Sequence, residues 1–392
     1  MKAVPTAEQP IFAGGPPTRF QTWVGLIKPS QPHLVHRALI AITIMWVPLA
    51  VLTGIRGDLV GAGARNSFLF DFGAQARFLI VPPLLIYAES YCLPKLSLLA
   101  SQFMGAGLVG VSDYPRYRAA VSSTIRLLNS TSVELIAVLL SFVLVAALFW
   151  IQPLSELPGW HGLLSPAGFA PSPAGVWGAL VSLPLLVLLE LGWVWRLTLW
   201  TRFLWLMSRL DLRLVAAHPD HAAGLRFVEV SLRAFLPLGF VIGVVVAGPV
   251  LNQVVHEGVA PSQFRFLIAG TASVAVCAFV GPLLVFIGKL IAEQRRGMFA
   301  YGALARWLGE QFERKWLKSE AVLGENALSA SDFSAATDLY SIVANVYAMR
   351  IVPLQLRNLI LLIVVTLLPF LPIALLSVPL DLILQKLAGL FL

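Results

Sequence analysis

Seven apolar stretches, each close to the length that crosses a bilayer, recur along this chain with only short polar segments between them. They run approximately from Ala38 to Ile55, Phe78 to Leu99, Val133 to Ile151, Val176 to Trp195, Phe235 to Val255, Phe266 to Leu290 and Leu359 to Leu376. A hydrocarbon core about 30 Å thick takes about 20 such residues at about 1.5 Å of helical rise each. Within lipid the backbone must satisfy its own N–H and C=O groups, so only helices or closed barrels cross it. The stretches are continuously apolar and do not alternate, which excludes barrel strands. The expectation is an all-α, polytopic transmembrane helix bundle of about seven spans. Charged residues make up only 12% of the chain, about half the share of a soluble domain.

Orientation follows from the basic residues, which are retained on the cytoplasmic side of a span. With the N-terminus inside, 23 of the 28 Lys and Arg fall in inner segments and five (Arg56, Arg65, Arg77, Arg265, Lys386) fall outside. The segment from Gln152 to Gly175 carries no basic residue at all. The expected location is therefore the cytoplasmic (inner) membrane of a bacterium, with the N-terminus cytoplasmic. The net charge of +8 marks the face that meets anionic lipid, so membrane lipids are the expected partners and nucleic acid is not. Cys92 and Cys277 both lie inside apolar stretches, at no metal-ligand spacing, and act as small hydrophobes.

The chain divides into a cytoplasmic N-terminal tail (1–37), a six-span region with its connecting segments (38–291), a cytoplasmic helical hairpin (292–356) and a last span with a C-terminal interfacial segment (357–392). The tail is expected to stay attached and largely disordered, with Trp23, Leu26 and Ile27 as an interfacial anchor. Ser112 to Ser130 reads as an amphipathic helix lying at the interface, with Tyr114, Tyr117, Val121, Ile125 and Leu128 on its apolar side and Arg116, Arg118 and Arg126 toward headgroups. Leu304, Trp307, Leu308 and Phe312 repeat at helical spacing in the hairpin, and a second helix is expected to start near Ser331. Val378 to Leu392 reads as a short helix on the outer interface. Trp193, Trp195, Trp200 and Trp205 suggest an aromatic belt beside Arg196 and Arg202. Gly239 and Gly243 form a small-xxx-small pair for close helix packing, and Gly248-Pro249 and Gly281-Pro282 suggest kinks.

Ionisable residues inside spans are costly and so mark candidate sites. Glu89 on the second span and Glu190 on the fourth fall at similar expected depth. Glu134 and Arg196 lie nearer the inner face, where they are expected to pair. Together these four residues are the candidates for an ion or proton path; helix glue is the structural alternative. A second constellation is the inner segment holding Arg209, Asp211, Arg213, His218, Asp220, His221 and Arg226. His and Asp this close can shuttle a proton or bind a metal, whereas Pro219 disfavours a helix through the motif, and the plainer reading is a polar turn capping the next helix. Because no third ligand stands at a standard spacing, no metal site and no cofactor is assigned.

The segment Leu210-Asp211-Leu212, then His218-Pro219-Asp220 and Ala223-Gly224-Leu225, resembles a stretch of uncharacterised bacterial multi-span membrane proteins that read Leu-Asp-Leu, His-Pro-Asp and Ala-Gly-Gly-Leu. This chain departs from the pattern with Ala223 where the first Gly of the pair is expected. The proline-rich last span and Pro379-Leu380-Asp381 are similar too. The resemblance implies a fold and no activity.

There is no P-loop, dinucleotide fingerprint, nucleophile elbow, zinc motif or repeat of fixed period, which disfavours the common soluble enzyme classes. The leading expectation is a transporter or channel, possible as a homo-oligomer, moving a small solute or ion. A membrane-embedded enzyme using His218, Asp220 and His221 is the alternative, and a noncatalytic scaffold or sensor working through the hairpin is the third.

Overall fold

Prolines just inside the spans set where these helices bend. In the second span Pro82 and Pro83 lack the N–H groups that would close the preceding turn, and the helix widens there: Phe72–Gln75 is α, Ala76–Ile80 is π, and Val81–Gly105 is α again. The fourth span repeats this plan ahead of Pro184, with Pro173–Trp177 α, Gly178–Ser182 π and Leu183–Ser208 α. In the sixth, Pro282 opens a 3-10 segment, Gly281–Phe286, between two α-helices. The kink expected at Gly281-Pro282 is this segment.

The computed structural model describes residues 11–12, 14–15, 34–61, 67–151, 157–165, 168–317 and 331–376. Among them seven helical stretches are long and apolar enough to cross a membrane: Leu34–Arg56, Phe72–Gly105, Thr131–Ile151, Pro173–Ser208, Leu236–His256, Pro261–Trp316 and Leu356–Leu376. The all-helical, multi-pass architecture is thus as the apolar runs indicate. The first span packs on the second, the third on the fourth, the fifth on the second and seventh, and the sixth on the seventh. Gly239 and Gly243 serve the close approach expected of them, because a Cβ on Gly239 would meet Thr366 Oγ1 at 2.7 Å and one on Gly243 would collide with the Thr366 carbonyl. Lipid offers little hydrophobic drive between helices, so this contact is held by van der Waals packing.

At one end, called the basic end below, lie the helix Tyr114–Leu128, the loop from Arg209 to Glu229, and a hairpin formed by Ile287–Trp316 and Ser331–Tyr347. The hairpin's second helix, Ser331–Tyr347, lies where the sequence pattern predicts one. The opposite end carries a two-stranded antiparallel pair, Gly162–Ser165 with Gly168–Pro171, which the Pro- and Gly-rich sequence does not announce.

Three expectations are corrected. Part of the N-terminal tail is ordered inside the bundle: Ile11 and Phe12 are buried, and the Phe12 ring packs edge-on against Trp200 and Phe203 at 5.6 and 6.2 Å. The helix Tyr114–Leu128 does not lie free at an interface. Tyr117, Ala120, Thr124 and Leu128 face inward, and it packs on the fourth span, with Arg202 donating to Ser123 Oγ and Trp195 Nε1 to the Leu127 carbonyl. Finally, of the four clustered tryptophans only Trp205 is exposed, where Arg209 lies over its ring at 5.0 Å, whereas Trp193 and Trp200 are core residues. The anchor at Trp23, Leu26 and Ile27 and the helix at Val378 to Leu392 lie outside the described residues.

Candidate functional site

A carboxylate within an apolar helix must find donors, and the Glu89 side chain finds two arginines. Its Oε2 lies 2.5 Å from Arg37 Nη2, and its Oε1 lies 2.9 Å from Arg196 Nη2. All three side chains are buried, Arg196 to 1% exposure. Arg37, assigned to the tail from sequence, sits in the first turn of the first span, so the cluster ties spans one, two and four together. Arg196 does not use Glu134 for this; its acidic partner is Glu89. The rest of its guanidinium reaches the N-terminal segment, with Nε and Nη2 donating to the Gly14 carbonyl at 3.4 and 3.3 Å.

Glu190 is arranged differently. Among the described residues it has neither a hydrogen-bond nor an ion-pair partner, and the charge acting on it is Arg77, whose own Nε is fixed to the Gly73 carbonyl at 3.0 Å. Glu89 and Glu190 therefore answer to different arginines and share no contact. They do share a sequence frame, in which Pro83-Leu84-Leu85 and Glu89 recur as Pro184-Leu185-Leu186 and Glu190 at the same spacing, with three differing apolar residues between. Each frame follows a π turn and an N-cap side chain, with Asp71 accepting from the Ala74 N–H and Ser172 from the Gly175 N–H. A search for fixed periods passes over this pair because it occurs only twice; comparing the spans with each other finds it.

The two caps meet at the end opposite the basic one. Asp71, buried, accepts from Ala74 N, Asn252 Nδ2 and Trp160 Nε1 at 2.9, 2.7 and 2.9 Å. Ser172 donates its hydroxyl to the Trp160 carbonyl, and its N–H to the His161 carbonyl. Burial holds the His161 imidazole down, to about 4; Asp71 opposes the shift and Arg77 adds to it. Sequence reasoning missed Asp71, Asn252 and Trp160. The usable signal was an Asp placed just before an apolar run, an N-cap signature.

At the basic end the loop holding Arg209, Asp211, Arg213, His218, Asp220 and His221 is a junction. The Asp211 N–H donates to Asp113 Oδ2, the Arg213 N–H to the Leu108 carbonyl, and the His221 carbonyl accepts from the Arg350 N–H. Lys289 Nζ donates to the Leu210 carbonyl, and the Ala216 N–H to Glu293 Oε1. Glu229 accepts from the Gln355 N–H and from Asn358 Nδ2, fastening the start of the seventh span. Asp220 organises the turn: burial favours its neutral form, but N–H bonds from Ala222, Gly224 and Arg226 and the nearby His218 outweigh that and hold it below the usual carboxylate range. His218 Nδ1 lies 2.8 Å from Asp220 Oδ1 and 3.2 Å from the Asp220 N; with a proton on Nδ1 the bond to the carboxylate is the favoured one. His221 and Ala223 both have φ of 55°. The left-handed backbone at Ala223 is a conformation that favours glycine over a residue with a Cβ. Among the described residues no three His, Cys, Asp or Glu side chains gather as a metal-binding group.

No family model, curated protein or solved structure matches the chain.

Proposed function

We propose that the protein is a transporter or channel of a bacterial cytoplasmic membrane, N-terminus inside, that moves a proton or small cation past Glu190. The observation carrying this reading is the contrast between two carboxylates in one repeated frame: Glu89 is closed by two arginines, whereas Glu190 has no partner among the described residues. An unpartnered carboxylate in a span is costly unless it takes up a proton or cation during its work. Glu89 then serves as the clamp that holds spans one, two and four in register, with Arg196 as part of that clamp. Basic residues gathered at one end support the orientation. The enzyme reading gains no support from Asp220, whose oxygens are taken by the turn itself.

The test is a pH-gradient-driven flux assay in liposomes holding the purified protein. Wild type is expected to pass protons or a monovalent cation, and Glu190→Gln to reduce that flux at least tenfold at equal insertion. Equal flux from both proteins refutes the proposal.

A further inference from the structure

The guanidinium of Arg196 is 1% exposed, and its Nη1 has no hydrogen-bond partner among the described residues. Its Nε–Nη2 edge, the fork that suits a carboxylate or phosphate, points at a neutral carbonyl at the long distances of 3.4 and 3.3 Å. Only Nη2 reaches an acid, and that acid, Glu89, is shared with Arg37. A buried arginine so poorly supplied is a site adapted to a stronger acceptor than the one it holds.

The acceptor in place is a strap. Phe12 anchors it with no exposed surface, its N–H donating to Ser97 Oγ at 3.2 Å and its ring held by Trp200 and Phe203. Gly14 and Gly15 follow with φ of +110° and +93°, and a Cβ on either would stand within 2.7 Å of Asn129 Oδ1 or Leu128 Cδ1. Only two glycines let the backbone lie this closely over Arg196 while presenting the Gly14 oxygen. Among the described residues the strap is joined to the body by two buried side chains, Ile11 and Phe12, and by a few neutral hydrogen bonds, each modest in net strength.

We propose that Arg196 is an oxyanion-binding site and that the strap made by Ile11, Phe12, Gly14 and Gly15 covers it, the Gly14 carbonyl occupying the position of a ligand oxygen. The ligand class is a carboxylate or phosphate group, from a free solute or from an anionic lipid headgroup. The proposal goes beyond the Glu190 path and does not depend on it. An oxyanion displaces Gly14 and takes the Nε–Nη2 edge, so a weaker anchor raises its affinity.

The experiment is thermal unfolding of the full-length protein in detergent, wild type against Phe12→Ala. One arm titrates inorganic phosphate against chloride at matched ionic strength; a second adds phosphatidylglycerol against phosphatidylcholine. Phe12→Ala is expected to unfold at lower temperature than wild type but to regain several degrees with the ligand, at a concentration at least tenfold below that needed by wild type. A rise with phosphate identifies a free oxyanion; a rise with phosphatidylglycerol alone identifies the headgroup. Placing Arg196→Lys in the Phe12→Ala protein keeps the charge and removes the fork, and is expected to abolish the rise. Should Phe12→Ala not fold, Ser97→Ala loosens the strap more gently with the same expectation. No rise with either ligand, a rise equal in wild type, or one that survives Arg196→Lys overturns the proposal.

Discussion

The second and fourth spans share a cap, a π turn, a proline and the frame Pro-Leu-Leu-x-x-x-Glu, yet their glutamates have different surroundings. Neighbouring helices make the difference. The first span packs on the second and brings Arg37 in its opening turn. The third packs on the fourth, and its opening turn carries the acidic Glu134. Arg196, on the fourth span itself, turns to Glu89 and not to Glu190. A repeated sequence thus fixes helix geometry, and the partner span decides whether the carboxylate becomes a clamp or stays available.

That contrast is most exposed to Glu89→Gln. The neutral amide keeps one acceptor oxygen and turns a donor toward the other arginine. Replacing the carboxylate shared by two buried guanidinium groups in this way is expected to cost about 3–5 kcal/mol, whereas Glu190→Gln costs less than about 1 kcal/mol. Unfolding midpoints in detergent compare them directly, and similar losses would break the distinction.

Acid tests the junction of the two caps. His161 titrates near 6.5 when unfolded and at about 4 when folded, so its neutral form contributes stability that is complete above pH 6.5 and falls as pH drops toward 4. The loss is about 3 kcal/mol by pH 4. The difference between wild type and His161→Gln over that window isolates the imidazole's contribution together with its coupling to Asp71.

Smaller effects separate the caps themselves. Asp71→Ala removes the acceptor of Ala74, Asn252 and Trp160 and is expected to cost about 2–3 kcal/mol, against about 1 kcal/mol for Ser172→Ala. Denaturant titration of the two variants decides whether the second span is the more firmly capped. Smallest is a gain beyond the fourth span: Ala223→Gly relieves a left-handed alanine and is expected to stabilise by about 0.5–1 kcal/mol in the same titration.

The spans were legible in sequence because apolar length is a local property, and the basic end was legible because Lys and Arg cluster in the connecting segments. The Glu89 cluster was only half legible. Glu89 and Arg196 stood out as charges in apolar runs, but their pairing depends on which helices are neighbours, and neither span order nor depth fixes that. Arg37 was hidden by a helix that starts one turn earlier than the apolar run suggests. Phe12 and Gly14 were read as tail because a few residues carry no periodicity, and their order comes from the body they pack into. The His218-Pro219-Asp220-His221 motif admitted a chemical reading beside the plainer one of a polar turn, and Asp220 holds such a turn.

The account is tested most directly by measuring fold stability and proton flux together, in one preparation each of wild type, Glu89→Gln and Glu190→Gln. It predicts that the two variants fail in opposite ways: Glu89→Gln loses stability, and Glu190→Gln keeps its fold and loses flux. A Glu190→Gln protein that conducts like wild type, or one that unfolds as readily as Glu89→Gln, would contradict it.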